Sequence, residues 1–334
     1  MNRNPLSSDV LRFFLSGNPG QDHQKMLDGP PIRTVICAAG FALQAILLCG
    51  CAASHSEQGG EAALAQASHE RIDAQDSLTA DFELPLLDRR IEVFLPEGGL
   101  PGESETINLL VHFHGAAFIP VEAARLSGHR YVVAVVNLGA GSSRYEIPFT
   151  PEATFRQLVE AARDSLARRA GRPIGIGTLR ITSFSAGYGA VRAILRDDRN
   201  IEYVDGLLLL DGLHEDYDVD GALVPGGGRI DTTGMQPFLA FARRAIDGRS
   251  AMLITHSAIA PDSYASTTET ADYLIRRLGL RRGNVDRMGP VGMQQESEAG
   301  SGRLRIMGYP GETAADHLDH IHGLPAFLRA LEEL

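Results

Sequence analysis

The chain predicts an α/β domain with a mainly parallel sheet and helices on both faces, and three observations carry that prediction. From Arg90 onward, short apolar runs rich in β-branched residues alternate with longer runs of helical period. The strand-like runs, such as Ile107–Phe113, Tyr131–Leu138 and Val204–Leu210, are apolar at nearly every position. That is the pattern of strands covered on both sides rather than on one. The chain has 334 residues, 44 % of them hydrophobic, which is enough for one large core.

The elements follow in order. Residues 1–25 are polar and long for the leading region of an export signal, so Met26 is an alternative start. Thr34 to Gly50 is uncharged and apolar over about 17 residues, short for a spanning helix and suited to the apolar core of a signal peptide. It ends in Leu48-Cys49-Gly50-Cys51, which resembles the lipobox of bacterial lipoproteins. That resemblance implies cleavage before Cys51 and lipid attachment to it; a plain secretory peptide or an anchor helix is the alternative. Residues 51–80 are rich in Ala, Ser, Gln, Glu and Gly without apolar periodicity and read as a tether. The domain expected is therefore 81–334, after a signal peptide over 1–50 and a lipidated linker over 51–80.

Within it, Arg90–Leu95 alternates like an edge strand. Pro151–Arg169 reads as a helix with Thr150 before it as N-cap. Strand Leu179–Phe184, helix Ala186–Arg196, strand Val204–Leu210, helix Met235–Ile246, strand Ala251–Thr255, helix Thr267–Leu278 and strand Leu304–Met307 follow. Helix Leu324–Glu333 closes the chain.

Composition removes several classes of function. The formal net charge is −11, and Lys25 is the only lysine. No basic run or basic-aromatic interleaving marks a nucleic-acid footprint. The cysteines Cys37, Cys49 and Cys51 all precede the domain, which leaves it no disulfide, cysteine nucleophile or thiolate metal site.

The sharpest local signal is Leu179 to Val191, where an apolar run stops at Ser185 and a helix-forming run begins at once. Strand, tight turn and helix in that order lift a serine hydroxyl above the edge of a parallel sheet. The turn tolerates only small residues two before and two after the serine; here they are Ser183, where Gly is usual, and Gly187. On these residues the segment from about 81 to 334 resembles the α/β-hydrolase family. The resemblance implies a serine hydrolase with no cofactor, acting on a carboxylic ester, while amides, thioesters and peptides use the same machinery.

The resemblance also distributes roles. His112-Phe113-His114-Gly115-Ala116-Ala117-Phe118, at a strand end, would form the oxyanion loop, with Ala116 and Ala186 supplying the backbone donors. The general base belongs after the last strand, where His317, His320 and His322 compete, His317 standing first. The acid belongs between serine and base. Asp211, ending a run of four Leu, is one candidate, since a charge there is costly to bury unless paired. Asp262, after the next strand, holds the more usual family position.

Other signals are weaker. His256-Ser257 and Tyr264–Thr267 lie where open sheets bind ligands, though Ser-Thr before a helix is also a plain cap. Asp211–Asp218 and Asp316–His320 are rich in metal-ligating types. Gly139–Tyr145 superficially suggests a dinucleotide loop, but the third Gly is replaced by Arg144 and no helix is expected to start there. Gly221–Gly228 reads as a connector or lid. The expected partners are a small-molecule or acyl substrate and a membrane reached through the lipid anchor, with export to the outer membrane facing the periplasm. A non-catalytic surface protein on the same scaffold and a metal-dependent hydrolase stay open as alternatives.

Overall fold

The computed structural model describes residues 70–74, 78–86, 89–100, 102, 106–218 and 229–334. The apolar N-terminal segment, Cys51 and the Gly221–Gly228 loop lie outside the described residues.

Ten strands form one sheet among the described residues. In chain order they are β1 (Phe82–Leu86), β2 (Arg89–Phe94), β3 (Thr106–Phe113), β4 (Tyr131–Val136), β5 (Gly175–Phe184), β6 (Gly206–Leu210), β7 (Ala251–His256), β8 (Gly283–Met288), β9 (Gln294–Ser301) and β10 (Leu304–Gly308). Their spatial order is β1-β2-β4-β3-β5-β6-β7-β10-β9-β8. The six strands from β4 to β10 in that order pair in parallel, and the two at each flank pair antiparallel. The parallel centre puts the carboxyl ends of β3, β5, β6, β7 and β10 on one edge, and every candidate catalytic residue follows from that edge.

Helices cover both faces, as the uninterrupted apolar strands require. Leu109, Val111 and Phe113 of β3 point with Leu207 and Leu209 of β6 into one core. There they meet α2 (Ser143–Phe149), α3 (Ala153–Ala170), α4 (Tyr188–Ile194), α6 (Gln236–Ile246) and α7 (Thr267–Arg277), with Ile201 of α5 (Asp198–Tyr203) joining them. The alternate residues Leu110, Leu208 and Leu210 point into the other core, under α1 (Phe118–Leu126), α8 (Ala314–His322) and α9 (Leu324–Glu333).

The departures from expectation have local causes. Arg90–Leu95 does not lie at the edge; β1 pairs outside it and carries Pro85, a residue that sheets confine to edges and strand ends. Thr150 does not cap α3. It ends α2, with its Oγ1 donating to the Glu146 carbonyl at 2.9 Å. Helix α2 itself begins at Ser143, inside the segment where none was expected, so that ground for setting the Gly139–Tyr145 loop aside falls. Strands β8 and β9 are polar and partly exposed, which hid them from a hydrophobicity reading. Packing also begins before residue 81: Ile72, Leu78 and Ala80 lie against the core under α9.

Candidate active site

Strand β5 is held between β3 and β6, with Ser183 opposite Phe113 on one side and Leu209 on the other. Its last residue, Phe184, is extended, and the next, Ser185, sits at φ 46°. A β-carbon in that left-handed region is strained and persists only where the surroundings enforce it. A 3-10 turn, Ser185–Gly187, then feeds α4. A Cβ on Gly187 would lie 2.4 Å from the carbonyl oxygen of Phe113, so this position excludes any side chain. Ser183, at the other small position, is fully buried, and among the described residues its Oγ has no hydrogen-bond partner.

Asp211 follows β6 directly, again at positive φ (38°), and is only 1 % exposed. Its neighbour Gly212 passes so close that a Cβ there would meet the Ser185 nitrogen at 2.7 Å and its carbonyl oxygen at 2.5 Å. The turn bearing Asp211 is thus folded onto the turn bearing Ser185. Oδ1 of Asp211 accepts from the Ser257 N–H (2.8 Å) and the Thr267 hydroxyl (2.7 Å), and Oδ2 lies 2.7 Å from Nδ1 of His317. A carboxylate can only accept, so Nδ1 of His317 carries the hydrogen and, in the neutral ring, Nε2 keeps its lone pair. Burial acts to raise the Asp211 carboxyl's pKa. The His320 and His317 imidazoles, with the hydrogen bonds of His317 and Thr267, outweigh it and hold the group below the usual carboxylate range. The imidazole of His317 lies over the ring of Phe184, centroids 4.5 Å apart, which brings it to the strand end from which Ser185 projects.

The helix that carries His317 starts at Ala314, fixed by a capping box between Thr313 and Asp316. Thr313-x-x-Asp316 was the sequence signal that could have placed this helix and so ordered the three histidines. His320, one turn on, is buried and has Nδ1 2.7 Å from the hydroxyl of Thr255, which itself accepts from the Asp211 N–H. His322 faces the chain's earlier segment, accepting the Ile72 N–H at Nδ1 (3.1 Å). Asp262 is exposed, and no hydrogen bond or ion pair joins it to the other candidates among the described residues.

The loop after β3 is built around two histidines. His112 is fully buried, and burial pushes its pKa down to about 3. Its Nε2 donates to the His114 carbonyl (2.9 Å), so Nδ1 accepts from Thr182 Oγ1 (2.8 Å). It acts as a strut that fixes the direction of the loop. His114 adopts φ 70° and Gly115 φ 123°, and Nδ1 of His114 meets the hydroxyl of Tyr145 at 2.8 Å. Burial, and then the charge of His317, lower His114 to about 4. The N–H of Ala116 donates to nothing among the described residues. That of Ala186 belongs to a helix's first turn, where amides have no intrahelical acceptor.

Among the described residues, three of the four non-glycine residues with positive φ are therefore His114, Ser185 and Asp211, at the ends of the adjacent strands β3, β5 and β6. Strain concentrated this way is typical of functional sites. His256, by contrast, is buried and locked between Thr268 Oγ1 (2.9 Å) and Arg282 (2.7 Å), which leaves it no contact to offer a substrate. Ser266 forms a capping box with Glu269 on α7 and is a cap, while Thr267 spends its hydroxyl on Asp211. Among the described residues no three of His, Cys, Asp and Glu are grouped so as to hold a metal ion.

Sheet order and helix layers are those of the α/β-hydrolase fold. No family model and no curated protein matches the chain. Among solved structures it is similar to an arylesterase, with 13 % identity over 83 % of this chain and 91 % of that one and a TM-score of 0.41. An alpha/beta hydrolase from the metagenome of Lake Arreo, Spain, gives 12 % identity over 82 % and 87 %, with a TM-score of 0.43. Against the Pyrococcus horikoshii acylaminoacyl peptidase the TM-score is 0.39 at 13 % identity, covering 74 % of this chain and only 39 % of the peptidase. At such scores the likeness bears no functional weight, and the chemistry has to come from the site itself.

Proposed function

We propose that this protein is a serine hydrolase acting on carboxylic esters, with Ser185 as nucleophile, His317 as general base and Asp211 as its acid. The observation that carries the reading is the 2.7 Å contact between Asp211 Oδ2 and His317 Nδ1, on a turn packed against the strained Ser185. In this reading the Ser185 hydroxyl attacks the ester carbonyl carbon and passes its proton to Nε2 of His317. The carbonyl oxygen becomes an oxyanion that accepts from the N–H groups of Ala116 and Ala186; one such preformed donor is worth roughly 3–4 kcal/mol. Collapse breaks the bond to the alcohol, which leaves with the proton from His317. Water, deprotonated by the same ring, then hydrolyses the acyl-enzyme and regenerates Ser185. Asp211 holds the ring in the needed tautomer and stabilises the imidazolium. The lipid anchor at Cys51 and export to the outer membrane belong to the same proposal and rest on the N-terminal sequence alone.

The test is turnover of p-nitrophenyl acetate and butyrate by the wild type, Ser185→Ala, His317→Ala and His320→Ala. Loss in the first two variants, with activity retained in a folded His320→Ala, supports the assignment. Equal turnover in Ser185→Ala removes it.

A further inference from the structure

Beyond the residues assigned to the chemistry, His214 stands three positions after Asp211 with nothing in the mechanism to do. Its Nδ1 lies 3.1 Å from the carbonyl oxygen of Ala265. A carbonyl can only accept, so Nδ1 carries the hydrogen, and in the neutral ring Nε2 is a bare acceptor. Burial lowers this imidazole's pKa despite the opposing charge of Asp211, which keeps it neutral at pH 7. Among the described residues Nε2 has no partner, and it is not among the polar atoms sealed from solvent.

Its surroundings are aromatic and adjoin the reaction centre. The rings of Tyr188 and Tyr264 meet it edge to face, with centroids at 5.9 and 5.0 Å. Tyr188 opens the helix that follows Ser185, and Gly212, two residues before His214, touches the Ser185 backbone. His214 is also close enough to both Asp211 and His317 for their charges to act on it. One open acceptor framed by aromatic rings is how ligand sites fix orientation: mostly apolar walls with a few placed polar groups.

We propose that Nε2 of His214 is a specificity determinant that accepts a hydrogen bond from a hydroxyl of the substrate, so that Ser185 acts on hydroxylated rather than plain alkyl esters. This rests on the serine-hydrolase reading. An analogue lacking the hydroxyl displaces water from Nε2 without replacing its hydrogen bond, which disfavours it against the hydroxylated substrate.

The test compares matched esters at enzyme concentrations set by fluorophosphonate titration. For the acyl side the pair is p-nitrophenyl butyrate and its β-hydroxy analogue; for the alcohol side it is propyl butyrate and glyceryl monobutyrate. The wild type should favour the hydroxylated member of at least one pair by about tenfold or more in kcat/KM. His214→Phe should reduce that preference below twofold while titrating to the same occupancy. His214→Gln, whose Oε1 supplies an acceptor near the place of Nε2, should restore part of it. Equal kcat/KM within both pairs for the wild type, or a preference that survives in His214→Phe, overturns the role given to His214. A wild type that takes up no fluorophosphonate overturns the serine reading instead, and this proposal with it.

Discussion

Replacing Asp211 by Asn changes one atom in the carboxyl group, and the structure says what that atom does. An Asn oriented with its oxygen in place of Oδ1 still accepts from Ser257 N–H and the Thr267 hydroxyl, two of the three hydrogen bonds recorded at this carboxylate. Its NH₂ group then replaces Oδ2, opposite Nδ1 of His317. An NH₂ group can only donate there, so the imidazole hydrogen moves to Nε2 and, in the proposed mechanism, the ring no longer offers a lone pair to Ser185. The expected loss in kcat is up to about 10⁴-fold, or about 5.5 kcal/mol of transition-state stabilisation. Stability should fall by only about 1.5–3 kcal/mol, the worth of a charged hydrogen bond. The assay is ester turnover beside thermal unfolding of the same preparation. Asp262→Asn is the control; an exposed carboxylate with no link to the site should leave turnover within about twofold. A folded Asp211→Asn that keeps a tenth or more of wild-type activity would remove Asp211 from the role of orienting His317.

Two further outcomes come from the structure and a third from the N-terminal sequence. The histidines His112, His114 and His256 are held at about 3, 4 and 4, burial being the first cause in each, so they are neutral when folded and bind protons on unfolding. Their folded values lie below the unfolded 6.5. Stability is therefore full above about pH 6.5 and should drop as pH falls toward 4, by at most about 1.4 kcal/mol per pH unit for each; urea unfolding flat between pH 7 and 5 would contradict this. Arg71 donates to Asp319 (2.6 Å) and to the Ala315 carbonyl (2.7 Å), so a domain begun at residue 81 loses contacts to the helix bearing His317. Its melting point should lie about 2–6 °C below that of a domain begun at residue 70; identical melting would mean the contacts are idle. Cys51→Ser should abolish fatty-acid labelling and leave precursor unprocessed, and unchanged processing would make the segment an ordinary signal or anchor helix.

The parallel centre was legible because β4 and β6 are apolar on both faces and β7 nearly so, a pattern that few arrangements besides a doubly covered sheet produce. Strands β8 and β9 were not, since polar antiparallel flanks such as Gly283–Met288 carry no such signature. Asp211 stood out for its cost, one charge after four Leu, and the structure brings it to His317 while leaving Asp262 exposed. The choice among His317, His320 and His322 turned on where their helix begins, which Thr313 and Asp316 encode in a cap rather than in periodicity. His214 was hidden for another reason. Its significance lies in a long-range contact to Ala265, 51 residues away, and no local pattern announces that.

The most direct measurement is the intact mass of the protein after exposure to a fluorophosphonate, which phosphonylates only a serine activated by its neighbours. One adduct per chain is expected on the wild type, none on Ser185→Ala, and sharply slowed uptake in Asp211→Asn and His317→Ala. An unmodified wild type, or an adduct that persists in Ser185→Ala, would contradict the assignment of Ser185.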